Sequence, residues 1–184
     1  MRYAAALEGV DAQGLPPVEQ WKPDRVGDID IVIKADGMWH HEGAPIKRAK
    51  LARLFSTILR RDGDAFFLVT PAEKLKITVE DAPFLAVAME TRGDGAARRL
   101  TFRTNLGDSV DIGPDHMLAF RPSPAGQNAP YIEVRRGLEA RIARSVYYDL
   151  VALAERRHMK GGEVFGVWSG GIFFPFAAVE DLAD

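Results

Sequence analysis

Cysteine is absent from the 184 residues, which excludes disulfides, thiolate nucleophiles, iron–sulfur clusters and cysteine-ligated zinc together. Stability must therefore come from packing. No window approaches the roughly 18 apolar residues of a membrane span. The opening "MRYAAALEGVDAQGLPPVEQW" has an apolar run too short and too soon interrupted for a secretory signal. These absences predict a cytoplasmic protein with no membrane partner. An excess of one charge is also lacking: 24 basic and 26 acidic side chains leave a formal charge of -2. That gives no net attraction to phosphate backbones, so nucleic acid is not an expected partner. The glycine-bearing stretches "GDG" at 93–95 and "KGGEV" at 160–164 lack the spacing of a phosphate-binding loop or a dinucleotide fingerprint. No cofactor is expected.

What is present is an ordinary globular composition, 47% hydrophobic and 27% charged, which excludes disordered and collagen-like chains. Residues 1–20 are rich in Gly, Ala and Pro without a sustained period, and predict a loosely held arm anchored by Trp21. Ile29, Ile31 and Ile33 then alternate with Asp30, Val32 and Lys34, the period of a strand with one apolar face. "ADGM" at 35–38 supplies a hairpin turn, and a strand through Trp39 and His41 follows. Pro45 suits the first turn of a helix. Leu51, Leu54, Phe55, Ile58 and Leu59 form one wide apolar helical stripe. Arg60, Arg61, Asp62 and Gly63 read as its basic end and glycine stop. "AFFLVT", "LKITVE", "FLAVAMETR" and "RRLTFRT" read as strands, with turns at "PAEK" and "GDG".

The second half repeats the script. "GDSVDIGPDHMLAF" from Gly107 resembles "GDIDIVIKADGMWH" from Gly27 once one residue is deleted, and a second helical stripe follows through Val146, Tyr147, Leu150 and Val151. "EVFGVW" then stands where "AFFLVT" stood. These agreements predict an α+β fold of two related units, each of antiparallel strands plus one core helix, arranged as an internal structural repeat. The expected organisation is an N-terminal arm at 1–20, a first unit at 21–92 and a second at 93–184.

Six ordered segments carry a family resemblance: "W-x-H-x-G-x-P-I" at 39–46, "RLFSTILRR" at 53–61, "LVTPAEK" at 68–74, "VEDAPF" at 79–84, "GLEARIARSVYYDLV" at 137–151 and "VWSGGIFFPF" at 167–176. From about Pro16 to nearly the C-terminus, the chain resembles the proteobacterial family known as domain of unknown function 1285. The resemblance implies two α+β units of related topology, a bacterial setting, and a role in ligand sensing or signal transduction. Family members often carry Ser before the proline of the first segment, where this chain has Ala44. A side-chain N-cap would be missing there, at about 1 kcal/mol.

Candidate chemistry is sparse. His40 and His41 are sequential on a predicted strand, so they face opposite ways and cannot share an ion; no metal site is expected. His41 is the best titratable candidate for acid–base duty, and a half-buried histidine bonded to a backbone carbonyl fits it as well. Ser169 in "VWSGG" lacks the frame of a nucleophile elbow and fits a tight turn. Glu73 and Lys74, then Glu80 and Asp81, place four charges around one predicted hairpin, where they could do acid–base work or pair with Arg53, Arg60 or Arg61. Arg141, Arg144 and Tyr148 would lie along one side of a helix and could grip a carboxylate or other anion. An exposed face paired with Glu139 and Glu155 fits the same residues.

The reading that follows is a non-enzymatic protein binding a small molecule, or a protein partner, between its units, with His41, Arg53, Glu73, Lys74, Arg141, Arg144 and Tyr148 as ligand contacts. Two alternatives come from other classes. One is a small hydrolase or lyase using His41 with the Glu73 or Asp81 carboxylate. The other is an interaction module with a flat apolar patch.

Overall fold

The alternation of Ile29, Ile31 and Ile33 with Asp30, Val32 and Lys34 does build a strand, β1 (Arg25–Ile33), whose Ile31 and Ile33 are buried. In this computed structural model, which describes residues 15–159 and 162–178, β1 belongs to the first of two units, Met1–Pro83 and Phe84–Asp184. Its turn is the expected one: Gly37 takes φ 82, and the Asp36 carboxylate accepts the Met38 amide at 2.9 Å. β2 (Trp39–His41) returns beside β1, and β3 (Ala44–Pro45) pairs with β2.

Pro45 thus lies in an edge strand, where its missing donor is tolerated, and not in a helical first turn. The helix, α1 (Ala49–Thr57), has Arg48 at its N-cap with no side-chain cap. Ala44 is outside it, so no capping energy is lost there. α1 also ends earlier than its charge pattern suggests. Ser56 and Thr57 hydroxyls donate back to the Arg53 and Leu54 carbonyls at 2.7 Å, local bonds of a kind that weakens and bends a helix. Leu59, Arg60, Arg61 and Asp62 form β4 (Leu59–Asp62), and Gly63 at φ 62 turns a hairpin into β5 (Ala65–Val69). β6 (Glu73–Val79) completes the sheet, starting earlier than expected because Thr70 Oγ1 accepts the Glu73 amide and closes the turn over Pro71 and Ala72. Strand order is β3-β2-β1-β6-β5-β4, with β1 and β6 parallel. Ile31, Ile33, Trp39, Phe55, Ile58, Leu68, Leu75 and Ile77 form its core.

The second unit begins with β7 (Phe84–Arg92), the segment expected to end the first. It hydrogen-bonds to β8 (Arg99–Thr104) and, in parallel, to β12 (Leu138–Ile142), which fixes it in the second sheet. β9 (Ser109–Asp111), β10 (Leu118–Pro122) and β11 (Asn128–Arg135) complete the order β10-β11-β12-β7-β8-β9. Read from its own first strand, this is the order of the first sheet. The repeat is therefore real, but its register is β1 with β7, not Gly27 with Gly107. The helices do not correspond: α1 joins β3 to β4, whereas α2 (Arg144–Ala152) follows β12.

After α2 the chain adds a separate three-stranded antiparallel sheet, β13 (Glu155–Met159), β14 (Gly162–Ser169) and β15 (Ile172–Ala178). Within the second unit, Ser169 ties it to the larger sheet. Its fully buried hydroxyl accepts the Leu100 amide at 3.0 Å and donates to the Ile112 carbonyl at 2.7 Å. Buried Arg98 adds a second tie, donating to the Leu153 carbonyl and pairing with Glu155, both at 3.1 Å.

Candidate functional site

Charge on β4 and β6 produces the most organised polar group of the first unit. Arg60 and Asp62 project from the same side of β4, two residues apart, and Lys74 on β6 faces them across β5. Arg60 Nε and Nη2 each donate to one Asp62 oxygen at 2.9 Å, and the Lys74 ammonium reaches Asp62 at 2.5 Å. Lys74 also rests 4.1 Å above the Phe67 ring. The remaining Arg60 nitrogen donates to the carbonyls of Val18 and Trp21 at 2.9 and 3.0 Å. One guanidinium thus pins the segment that enters the first unit. Pro16 and Val18 are its buried residues, Val18 at 1% exposure, so the described part of the arm is held by them and by Arg60 more than by Trp21. Residues 1–14 of the expected arm lie outside the described residues.

Beside this group is an open cleft of about 440 Å³, lined by Glu19, Trp21, Lys22, Val26, Arg60, Asp62 and Lys74, with Pro23 at its rim. Burial alone would raise the Asp62 pKa, but the hydrogen bonds and charges of Arg60 and Lys74 outweigh it and hold the carboxyl below its usual range. A lowered folded-state pKa means stability that is present above the unfolded value, about 3.9, and lost as pH falls through the folded value. The stability difference between wild type and Asp62→Asn is therefore expected to shrink as pH is lowered from about 6 to about 3, followed by urea melts. With the side chain 35% exposed, the titrating part should be under about 1 kcal/mol.

The expected site residues fall in both units. In the first, Lys74 belongs to the cleft. Glu73, its neighbour, points to the other face of β6 and pairs with Arg25 at 3.5 Å. Arg53 lies on the exposed side of α1. His41 is exposed on β2, and its side chain makes no hydrogen bond or ion pair among the described residues. It stands opposite Ile31, while Glu73 stands opposite Arg25, six residues along β1 or about 20 Å at ordinary strand rise. Glu73 is therefore beyond hydrogen-bonding reach of its ring. Glu80 accepts from Lys34 Nζ at 2.7 Å and the Ala35 amide at 3.0 Å, which lowers its pKa and closes the β1–β2 hairpin. No group of three metal-ligating side chains occurs among the described residues. None of the helices there is long and apolar enough to cross a membrane.

In the second unit, Arg141 is on β12 and not on a helix with Arg144 and Tyr148, because Leu138, Ala140 and Ile142 alternate into the core. Arg144 Nε does donate to the Tyr148 hydroxyl at 2.9 Å. Tyr148 and Val151 are 56% and 40% exposed on α2, beside the Phe120–Tyr147 ring pair. Ser169, with both hydrogen bonds spent inside the fold, is a structural tie and no nucleophile.

Arg60, Asp62 and Trp21 were missed as a site. The charged pair reads as a helix end, and nothing local in a sequence joins residues 18 and 21 to residue 60.

Two family models match the chain: the "Domain of unknown function (DUF1285), N-terminal domain" over residues 16–82 and the "Protein of unknown function (DUF1285), C-terminal domain" over residues 83–176. No curated protein matches it. Among solved structures, a DUF1285 family protein from Silicibacter pomeroyi DSS-3 is 45% identical, covers 98% of this chain and 97% of its own, and superposes with a TM-score of 0.88. A second, from Shewanella baltica OS155, is 32% identical over 66% of this chain and 90% of its own, with a TM-score of 0.55. The boundary between the matched domains falls at the junction of the two units. The chain belongs to the DUF1285 family, with both of that family's domains present.

Proposed function

We propose that this protein is a non-enzymatic ligand-binding protein that takes a small organic acid or amino acid in the cleft of its first unit, as a sensor in bacterial signalling. The observation that carries the reading is a cationic floor held rigid next to open volume. Arg60 is fixed by four hydrogen bonds, and Lys74 is fixed between Asp62 and Phe67. Such preorganised groups lose little freedom when an anion arrives. Beside them, Lys22 and Glu19 are exposed and without partners among the described residues, offering an ammonium for a carboxylate and a carboxylate for an amine. Trp21 and Val26, the latter 64% exposed, give the apolar body of a ligand something to cover.

Sensing follows from the same geometry. Trp21 and Lys22 belong to the segment that Arg60 pins, so a ligand touching them favours the docked segment over a released one. The test is a thermal-shift panel of organic acids and amino acids. At a hundredfold excess over the dissociation constant a specific ligand adds about 2.7 kcal/mol, or about 5–10 °C for a chain of this size. The shift should be lost in Trp21→Ala and reduced at least tenfold in affinity in Lys22→Ala. A flat panel would overturn the reading and leave the exposed α2 surface at Tyr148 and Val151, an interaction module, as the better one.

A further inference from the structure

The small sheet β13–β14–β15 has two unlike faces. One carries Val167, Ser169 and Phe174, all at most 2% exposed. Strand alternation and register put Arg157, Val164, Gly166, Trp168 and Phe173 on the other, with Arg157 opposite Val164 and Trp168 opposite Phe173. There the Trp168 and Phe173 rings meet edge to face at 5.5 Å and 66°, and neither is fully buried. The Arg157 guanidinium carbon sits 4.6 Å from the Trp168 centroid and 5.4 Å from that of Phe173. Gly166 makes this arrangement fit. A Cβ on it would lie 2.7 Å from one Phe173 ring atom and 2.8 Å from another, so the ring lies directly over the strand.

The donors on this face are unspent. Among the described residues, Arg156 pairs with Glu163 at 3.3 Å, whereas exposed Arg157 has no carboxylate and no hydrogen-bond acceptor. The Trp168 indole N–H likewise has none and is not among the buried unpaired atoms. A guanidinium stacked on a ring keeps its N–H fork directed along its own plane, free for bidentate recognition of an oxyanion.

From this geometry we infer that the outer face of the small sheet is a second binding site, for a small planar aromatic molecule carrying one carboxylate or phosphate. The oxyanion takes the Arg157 fork and the indole N–H, and the ring lies against Phe173 and Trp168. A nucleic-acid strand fits worse: the platform is only one or two rings wide, too short to stack successive bases.

The test is two-dimensional NMR on the whole protein, with the indole N–H signals of Trp21, Trp39 and Trp168 assigned by single Trp→Phe variants. The probes are adenosine 5′-monophosphate, with adenosine and inorganic phosphate as its halves, and indole-3-acetate, with indole and acetate as its halves. A saturable shift of the Trp168 signal by either probe, at least tenfold tighter than by either half, is expected. Arg157→Gln should weaken it at least tenfold, with a spectrum otherwise showing the native fold. Arg157→Lys, which keeps the charge but loses the fork, should rescue only partly. No Trp168 shift at millimolar probe, equal binding by Arg157→Gln, or tighter binding of an oligonucleotide than of the mononucleotide would each overturn the inference. Movement of Trp21 alone would do so too, while reporting on the separate cleft of the first unit.

Discussion

Gly166→Ala is expected to give the largest loss of stability of any single-methyl change in the small sheet. The added carbon would stand 2.4 Å from the Phe174 carbonyl oxygen and under 3 Å from the Phe173 ring. Because the oxygen is backbone, no rotamer change relieves the contact; β14 and β15 must separate near the register shift between Phe165 and Gly166. Overpacking of this kind costs about 1–3 kcal/mol and sometimes more, and here the upper end applies. Urea denaturation should show a lowered midpoint, and proteolysis should open the chain first between β13 and β15. A midpoint equal to that of wild type would mean that Phe173 does not lie over the strand, and the aromatic platform would fall with it.

The second large effect is expected at Arg60. Arg60→Ala removes two bonds to Asp62 and two to the carbonyls of Val18 and Trp21. It leaves a carboxylate paired only with Lys74 and two carbonyls without their donor. Charge-assisted bonds contribute about 1.5–3 kcal/mol each and do not add, so a loss of about 3 kcal/mol is expected. Arg60→Lys should recover little, since one ammonium cannot serve a carboxylate fork and two carbonyls in a plane. Hydrogen exchange should localise the change to residues 15–23 and β4. Full stability in Arg60→Lys would show that only the charge matters and that the segment is held by other contacts.

Much of the fold is legible where period and glycine agree, as in β1 with its Asp36–Gly37 turn, or in the burial of Phe55 and Ile58. The misreadings have local causes. Leu59–Arg60–Arg61–Asp62 carries both the end of a helical stripe and the alternation of an edge strand, and only its pairing with β5 decides between them. Arg141 shares the helical phase of α2, although Leu138, Ala140 and Ile142 carry a strand period of their own. The repeat aligns by sequence in a register that the sheets do not share, because common turn letters match more readily than strand order, which no residue spells out. Lys74 was legible as a charge near a turn. Its partners were not, since the contacts made by Arg60 and the pairing of Arg157 with Trp168 depend on which strands become neighbours.

Placing the first and last strands of each six-stranded sheet side by side also sets a timetable. Hairpins such as β1–β2 and β4–β5 close over a few residues, but the central parallel pair joins opposite ends of the unit; Lys34 and Glu80, beside that seam, are 46 residues apart. A chain emerging from the ribosome can make each three-stranded half in turn, yet neither half owns a finished interior. The seam is the step with the longest loop to close. Until Val79 has emerged, Ile31 and Ile33 have no β6 to lie beside, and the first unit cannot commit to its native state.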